Sequence, residues 1–206
     1  MVEGAAPNGF LVETSERADL IQYWFSEATI SAFVDEIIAC EGSAALVSAP
    51  SVYFTLPKAV QERCKVLEYD RQWEADPGFI FYDLNEPERV PKELHQAFDF
   101  VLMDPPIITR EGWTKCAVTA KLLLKAGGRL LCTTTADNAS MMGELLQVTP
   151  VRFRPSIPNL LAHQFVVYTN YASHRLDRLN PEIDEEDWRP LHWFTFFKRF
   201  LNRASQ

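Results

Sequence analysis

Asp104, Pro105 and Pro106 follow the apolar run Phe100-Val101-Leu102-Met103, and residues of these types in this order can do chemistry. A continuous apolar run reads as a strand covered on both faces. The two prolines after it donate no backbone hydrogen bond and fix φ, so the strand stops there. A carboxylate and a bare carbonyl then stand at the C-terminal edge of a parallel sheet, where open α/β sheets place their ligands. The plain alternative is an acidic turn, since Asp-Pro pairs are ordinary turn formers.

Other strand ends repeat the pattern. Lys65 to Asp70 is a strand running into Glu68 and Asp70, and Phe79 to Asp83 is another running into Asp83 and Leu84. An acid about 20 residues beyond a first strand turn suits ribose hydroxyls, a role open to Asp70 or Glu68. Asp83 could accept from an exocyclic amine, although an acid ending a strand is also a common cap. That first turn is Ser48-Ala49-Pro50-Ser51, whose small side chains let a ligand approach the backbone without a G-x-G-x-x-G loop. Parallel strands share one C-terminal edge, so these acids should converge on one cleft.

The elements that must position them are legible in outline. Ser26 caps an amphipathic helix carrying Ile30, Phe33, Val34, Ile37 and Ile38. Gly42 closes it before the strand Ala44–Val47, and a helix is expected from Leu56 to Arg63. Glu111 to Lys125 reads as a helix ended by Gly127-Gly128, followed by the strand Arg129–Thr134 and a helix from Asp137 to Leu146. Val148–Phe153 and His163–Tyr171 are strands with no helix between them, so they should pair antiparallel. The result is an α/β fold, a mostly parallel seven-stranded sheet with a terminal antiparallel hairpin and helices on both faces.

Composition narrows the partners. With a formal charge of −8, the chain lacks the basic surface that grips a nucleic-acid backbone, and a basic protein suits it better. Cys40, Cys64, Cys116 and Cys132 are far apart without CxxC spacing or a histidine cluster, which suggests neither a zinc site nor a disulfide framework. Buried thiols in a reducing compartment fit better, and with no apolar run near the ~20 residues of a membrane span the chain reads as cytoplasmic. Residues 1–18 are small and polar and are expected to be flexible at the start.

The segments Gln22-Tyr23-Trp24-Phe25-Ser26, Val47 to Tyr53, Glu68-Tyr69-Asp70-Arg71, Phe79 to Asn85, Asp104-Pro105-Pro106 and Asn159 to Phe165 occur in a fixed order. In that order they resemble the eukaryotic elongation factor 1-alpha lysine methyltransferases, a family first described as N6-adenine-specific DNA methyltransferases. The resemblance covers residues 19–173. It implies a Rossmann-like class I methyltransferase domain that uses S-adenosyl-L-methionine and acts on a basic protein, elongation factor 1-alpha. By resemblance, Ser48, Ala49, Pro50 and Ser51 cradle the methionine part of the cofactor, Glu68 or Asp70 holds the ribose, and Asp83 with Leu84 contacts the adenine. Trp24 and Ser26 would close over the methionine end, while Asp104, Pro105 and Pro106 form the methyl-acceptor site.

The chain departs from that family at Ile107, where an aromatic residue follows the two prolines. An aliphatic side chain offers no π-face to a flipped base or a cation, and Trp113 is a candidate substitute. A nucleic-acid adenine methyltransferase and a non-catalytic scaffold of the same fold are the competing readings. Residues 174–206 form an extension with the acid run Asp184-Glu185-Glu186-Asp187 and an apolar stripe from Trp188 to Leu201, expected to pack on the domain.

Overall fold

The computed structural model describes residues 8–160 and 165–183. Seven strands, β1 (Ala44–Val47), β2 (Cys64–Glu68), β3 (Phe79–Phe81), β4 (Phe98–Met103), β5 (Leu124–Thr135), β6 (Thr149–Pro150) and β7 (Phe165–Thr169), form one sheet. Their order is β3-β2-β1-β4-β5-β7-β6. The first five are parallel, and β7 runs antiparallel to both β5 and β6. The expected architecture is therefore present.

Among the described residues six α-helices accompany it: α1 (Gly9–Glu13), α2 (Glu27–Cys40), α3 (Pro50–Tyr53), α4 (Lys58–Gln61), α5 (Arg110–Leu123) and α6 (Ala139–Leu146). Both faces of the sheet are covered, which is why β4 reads as a continuous apolar run. Its Val101 and Met103 pack with Trp113, Cys116 and Leu123 of α5 and Met142 of α6. Phe100 and Leu102 pack on the other face with Ile30, Phe33 and Ile37 of α2. Ser26 caps α2 as its sequence position predicts, accepting from the Thr29 amide.

Several local expectations are corrected. Glu41, in the left-handed region at φ 56°, ends α2 in place of Gly42, which instead lies where a Cβ would collide with Asp99. The helix expected from Leu56 to Arg63 is the single turn α4, because Pro57 restarts the chain just before it. α5 passes straight into β5 at Leu124, so Gly127 and Gly128 lie inside the strand rather than at a helix end. Asp137 sits in a 3-10 turn and caps nothing, and the strand expected from Val148 to Phe153 is reduced to Thr149–Pro150.

Where they are described, residues 8–18 make specific contacts with the domain. The Asn8 side chain accepts from the Phe10 amide and starts α1. Phe10 is buried, with its ring 5.1 Å from that of Trp24 and 5.9 Å from that of Phe54. One large aromatic residue is enough to dock a polar segment, which composition alone did not signal. At the other end, Leu176 and Asn180 are buried against the domain, while the acid run and the apolar stripe lie outside the described residues.

Phe10→Ala should cost about 3 kcal/mol locally. The indole N–H of Trp24, bound to the Thr14 carbonyl at 3.1 Å, should then exchange roughly a hundredfold faster. Unchanged exchange would show that Phe10 does not anchor this segment.

Candidate active site

The register of the sheet builds the site. Val47 pairs with Leu67 on one side and Met103 on the other, and Met103 pairs with Cys132. One residue further on, Glu68, Ser48, Asp104 and Thr133 therefore stand in a single row across the C-terminal edge. The ladder reaches that row, since the Ser48 amide donates to the Leu67 carbonyl at 2.9 Å and the Asp104 amide to the Val47 carbonyl at 3.0 Å. Adjacent strands lie about 4.8 Å apart, so Glu68 and Asp104, two strands apart, are separated by roughly 10 Å at the backbone.

A cleft of about 540 Å³ opens over this row. Asp104, Pro105 and Pro106 line it together with Ser48, Pro50, Ser51, Glu68, Asp83, Leu84 and Trp24. Asp19, Glu68, Asp83 and Asp104 are among the residues lining it, and no Lys or Arg is among the described ones that do; the Asp19 carboxylate is already paired with Arg17 at 2.7 Å. Such a cleft suits a cation.

Burial pushes the Glu68 carboxyl up to about 7, against the Tyr69 and Asp70 amides that donate to its Oε1 at 2.9 and 3.0 Å. Its Oε2 has no partner among the described residues and remains for a ligand. Burial also pushes Asp104 up to about 7, and the neighbouring charge of Glu68 adds to the rise. The Thr133 hydroxyl opposes it by donating to Asp104 Oδ1, which leaves Oδ2 unpartnered among the described residues.

Asp70 is not on the cleft wall. It is buried, accepts from the Gln72 backbone and side chain at 3.0 and 2.7 Å, and pairs with Arg17 at 3.4 Å. Of the two ribose candidates, the geometry leaves Glu68. Ala49 is buried behind the turn, and Ser26 is fully engaged as the α2 cap, so neither lines the cleft. Trp24 does, although its indole nitrogen is already bound to Thr14. Trp113 lies wholly in the core, donating to Thr134 at 3.1 Å, and cannot replace the aromatic missing at Ile107.

The Asp-Pro-Pro corner is held from three sides. The Ile107 amide donates to the Pro105 carbonyl at 2.7 Å, so one lone pair of that carbonyl is already used. Asn138 donates to the Ile108 carbonyl at 2.8 Å and to Thr134 at 2.9 Å. Gly112 of α5 has no side chain, and a Cβ there would sit 2.4 Å from Ile107 Cδ1, so the glycine makes room for the isoleucine. Ser48 holds φ at 55°, the left-handed conformation that a glycine-rich turn would adopt freely.

Sequence reasoning missed Thr133, Asn138, Tyr82 and the whole stretch from Asp19 to Tyr23, all of which line or support the cleft. The run Thr133-Thr134-Thr135 at a strand end was the available signal for the first of these. Thr133→Val should raise the Asp104 carboxyl further and Thr133→Ser should restore it, as read by carboxyl-carbon NMR titration. An unmoved titration in the valine variant would remove Thr133 from the account.

Comparison with known proteins agrees with this geometry. A family model described as "Probable N6-adenine methyltransferase" matches residues 16–173. The chain is similar to EEF1A lysine methyltransferase 1 of Danio rerio, 36% identical over 165 residues that cover 75% of this chain and 98% of that protein. To the Homo sapiens protein of the same name it is 36% identical, covering 77% of this chain and 76% of the relative. To protein-lysine N-methyltransferase EFM5 of Saccharomyces cerevisiae it is 30% identical, covering 74% and 71%. Among solved structures, the branched-chain polyamine synthase of Thermus thermophilus shares the fold, with a TM-score of 0.56 at 18% identity over 78% of this chain and 60% of that one. The matched residues contain the whole acidic row and the Asp-Pro-Pro corner, and the chain belongs to the EEF1A lysine methyltransferase family.

Proposed function

We propose that the cleft binds S-adenosyl-L-methionine and that the chain transfers its methyl group to a lysine side chain of a protein, elongation factor 1-alpha by analogy with its relatives. The observation that carries this reading is a cleft lined by Glu68, Asp83 and Asp104, with no Lys or Arg among the described residues that line it. A sulfonium and an ammonium are the charges such a lining would hold. The volume lies within the range of small-molecule sites.

The residues present fit the cofactor. Ser48, Pro50 and Ser51 would lie against its methionine end, Glu68 Oε2 against a ribose hydroxyl, and Asp83 with Leu84 against the base. When bound, the cofactor supplies an electrophilic methyl group on positive sulfur. Asp104 Oδ2 accepts from the incoming amine and aims its lone pair, and the remaining lone pair of the Pro105 carbonyl gives a second anchor. Thr133 keeps Asp104 in that orientation.

An ordinary lysine amine, with pKa ~10.4, must lose a proton at a cost of about 4.6 kcal/mol at pH 7. A carboxylate beside it favours the ammonium, so Asp104 orients rather than supplies the driving force. Ile107, Ile108, Leu160 and Phe165 supply apolar parts of the lining, and apolar surroundings lower an amine's affinity for its proton. The description of the family model favours a second reading, transfer to the exocyclic amine of adenine in nucleic acid. The acidic cleft and aliphatic Ile107 weigh against it. The four cysteines are free thiols, in keeping with the reducing cytosol proposed for the protein.

Purified protein with radiolabelled cofactor should methylate elongation factor 1-alpha and leave DNA and RNA oligonucleotides unlabelled. Label on the oligonucleotide alone would establish the second reading, and label on neither would make the chain a scaffold. Asp104→Ala should cut turnover more than a hundredfold while cofactor affinity changes by less than about tenfold. Equal losses would place Asp104 in cofactor binding alone.

The pH dependence has a definite sign. Glu68 and Asp104 are largely protonated below about 7 and ionised above it. Affinity for S-adenosyl-L-methionine should therefore rise between pH 6 and 8, with protons released on binding. S-adenosylhomocysteine, which lacks the sulfonium charge, should show a smaller rise in calorimetry. Equal pH slopes for the two would argue against a carboxylate site for the sulfonium.

A further inference from the structure

Ile108 is open to solvent where its neighbour is not. At 40% exposure it is one of the few large apolar side chains among the described residues that stay uncovered, and it is among the residues lining the cleft. Ile107, one residue earlier, packs on the core beside Gly112. A single exposed isoleucine on a loose loop would carry no meaning, but this one is held in place.

The backbone is fixed on both sides of it. The Ile107 amide closes a turn onto the Pro105 carbonyl at 2.7 Å, and the Thr109 hydroxyl starts α5 by accepting from the Gly112 amide at 3.3 Å. Between the two, the Ile108 carbonyl accepts from the Asn138 side chain at 2.8 Å. Asn138 also donates at 2.9 Å to the Thr134 hydroxyl oxygen, which accepts from the buried Trp113 indole at 3.1 Å. An exposed apolar residue fixed in this way has little freedom left to lose on meeting a partner.

Sheet order decides which partner can reach it. Ser48, Glu68 and Asp83 follow β1, β2 and β3, all on one side of β4, and the methionine end, ribose and base of the cofactor are assigned to them. Asn138 follows β5, on the other side of β4, and ties the Ile108 carbonyl to that side. Phe165, another of the lining residues, pairs with Thr135 at the end of the same strand. Amine and methyl group meet at Asp104, so the protein that carries the amine approaches from the side the cofactor leaves free.

We propose that Ile108, presented by Asn138, is a specificity-determining residue that packs against an apolar side chain of the substrate protein next to the methylated lysine. The inference rests on the reading of the cleft as a lysine methyltransferase site, and it adds what the substrate must carry beside its lysine. Asp104 takes the charged end of the target and Ile108 an apolar neighbour. Asn138 is a positioning residue that acts through the Ile108 backbone.

Ile108→Ser removes the apolar contact, Ile108→Leu keeps it, and Asn138→Ala releases the carbonyl. With the full chain and elongation factor 1-alpha, the KM for the protein should rise about tenfold in Ile108→Ser and in Asn138→Ala, with kcat changing less, and should return toward the wild-type value in Ile108→Leu. Affinity for S-adenosylhomocysteine should hold in all three, and the melting temperature should hold in Ile108→Ser. Because Asn138 acts through Ile108, adding Asn138→Ala to Ile108→Ser should raise KM less than about twofold further.

An unchanged KM in Ile108→Ser, full additivity of the two substitutions, or an equal loss of S-adenosylhomocysteine affinity would overturn the proposal. So would a clear fall in the melting temperature of Ile108→Ser, which would mean that another part of the chain covers this side chain. If the wild-type chain transfers no methyl group to elongation factor 1-alpha, the reading of the site itself fails and takes this proposal with it.

Discussion

Two carboxylates held at one end of a parallel sheet, with no cation among the described residues of their cleft, set the terms for the rest of the molecule. Glu68 is buried, and Asp104 half-buried, by the same packing that makes β2 and β4 buried strands. Both are pushed up to about 7, which means that the folded chain holds protons that the unfolded chain would release. Stability is therefore greatest below about pH 4 as far as these groups are concerned and falls as pH rises toward 7. The cost once both are ionised is of order 3 kcal/mol for Glu68 and 4 kcal/mol for Asp104. A bound cation would reverse that cost, so binding and fold stability are coupled through the same two groups.

The surrounding structure keeps this arrangement in place. Thr133 reaches across from β5 to one oxygen of Asp104, and the Tyr69 and Asp70 amides hold one oxygen of Glu68, so each carboxylate keeps a second oxygen for a ligand. Ser48 takes the strained backbone that a glycine would have made easy, and Pro50 starts α3 directly behind it. The amino-terminal segment, anchored by Phe10 and tied through Arg17 and Glu16, leads into the part of the cleft lining formed by Asp19 to Trp24. In the proposed function, the negative charge and the aliphatic Ile107 favour a protein amine over a nucleic acid.

Much of this was legible in the residues. The sheet could be read because apolar runs, acid ends and a helix-free final pair are each dictated by burial and by chain reversal, and the cleft followed from parallel strand direction alone. The choice between Glu68 and Asp70 was not legible, because both end β2 and only the Arg17 and Gln72 contacts show that Asp70 is spent on the fold. Thr133 was hidden for the same reason: its partner is 29 residues away and meets it only through sheet register. Of the amino-terminal wall only Trp24 was legible, and the docking of the polar segment before it depends on one phenylalanine meeting Trp24 and Phe54. Ile107 was visible as a departure, but only the bare Cα of Gly112 explains how the structure accommodates it.

A crystal structure of the full chain with S-adenosylhomocysteine would test the central claim most directly. The ribose hydroxyls should lie within hydrogen-bond distance of Glu68 Oε2 and away from Asp70, with the sulfur facing Asp104. A ligand seated on Asp70, or lying outside the row formed by Glu68, Ser48 and Asp104, would contradict the account.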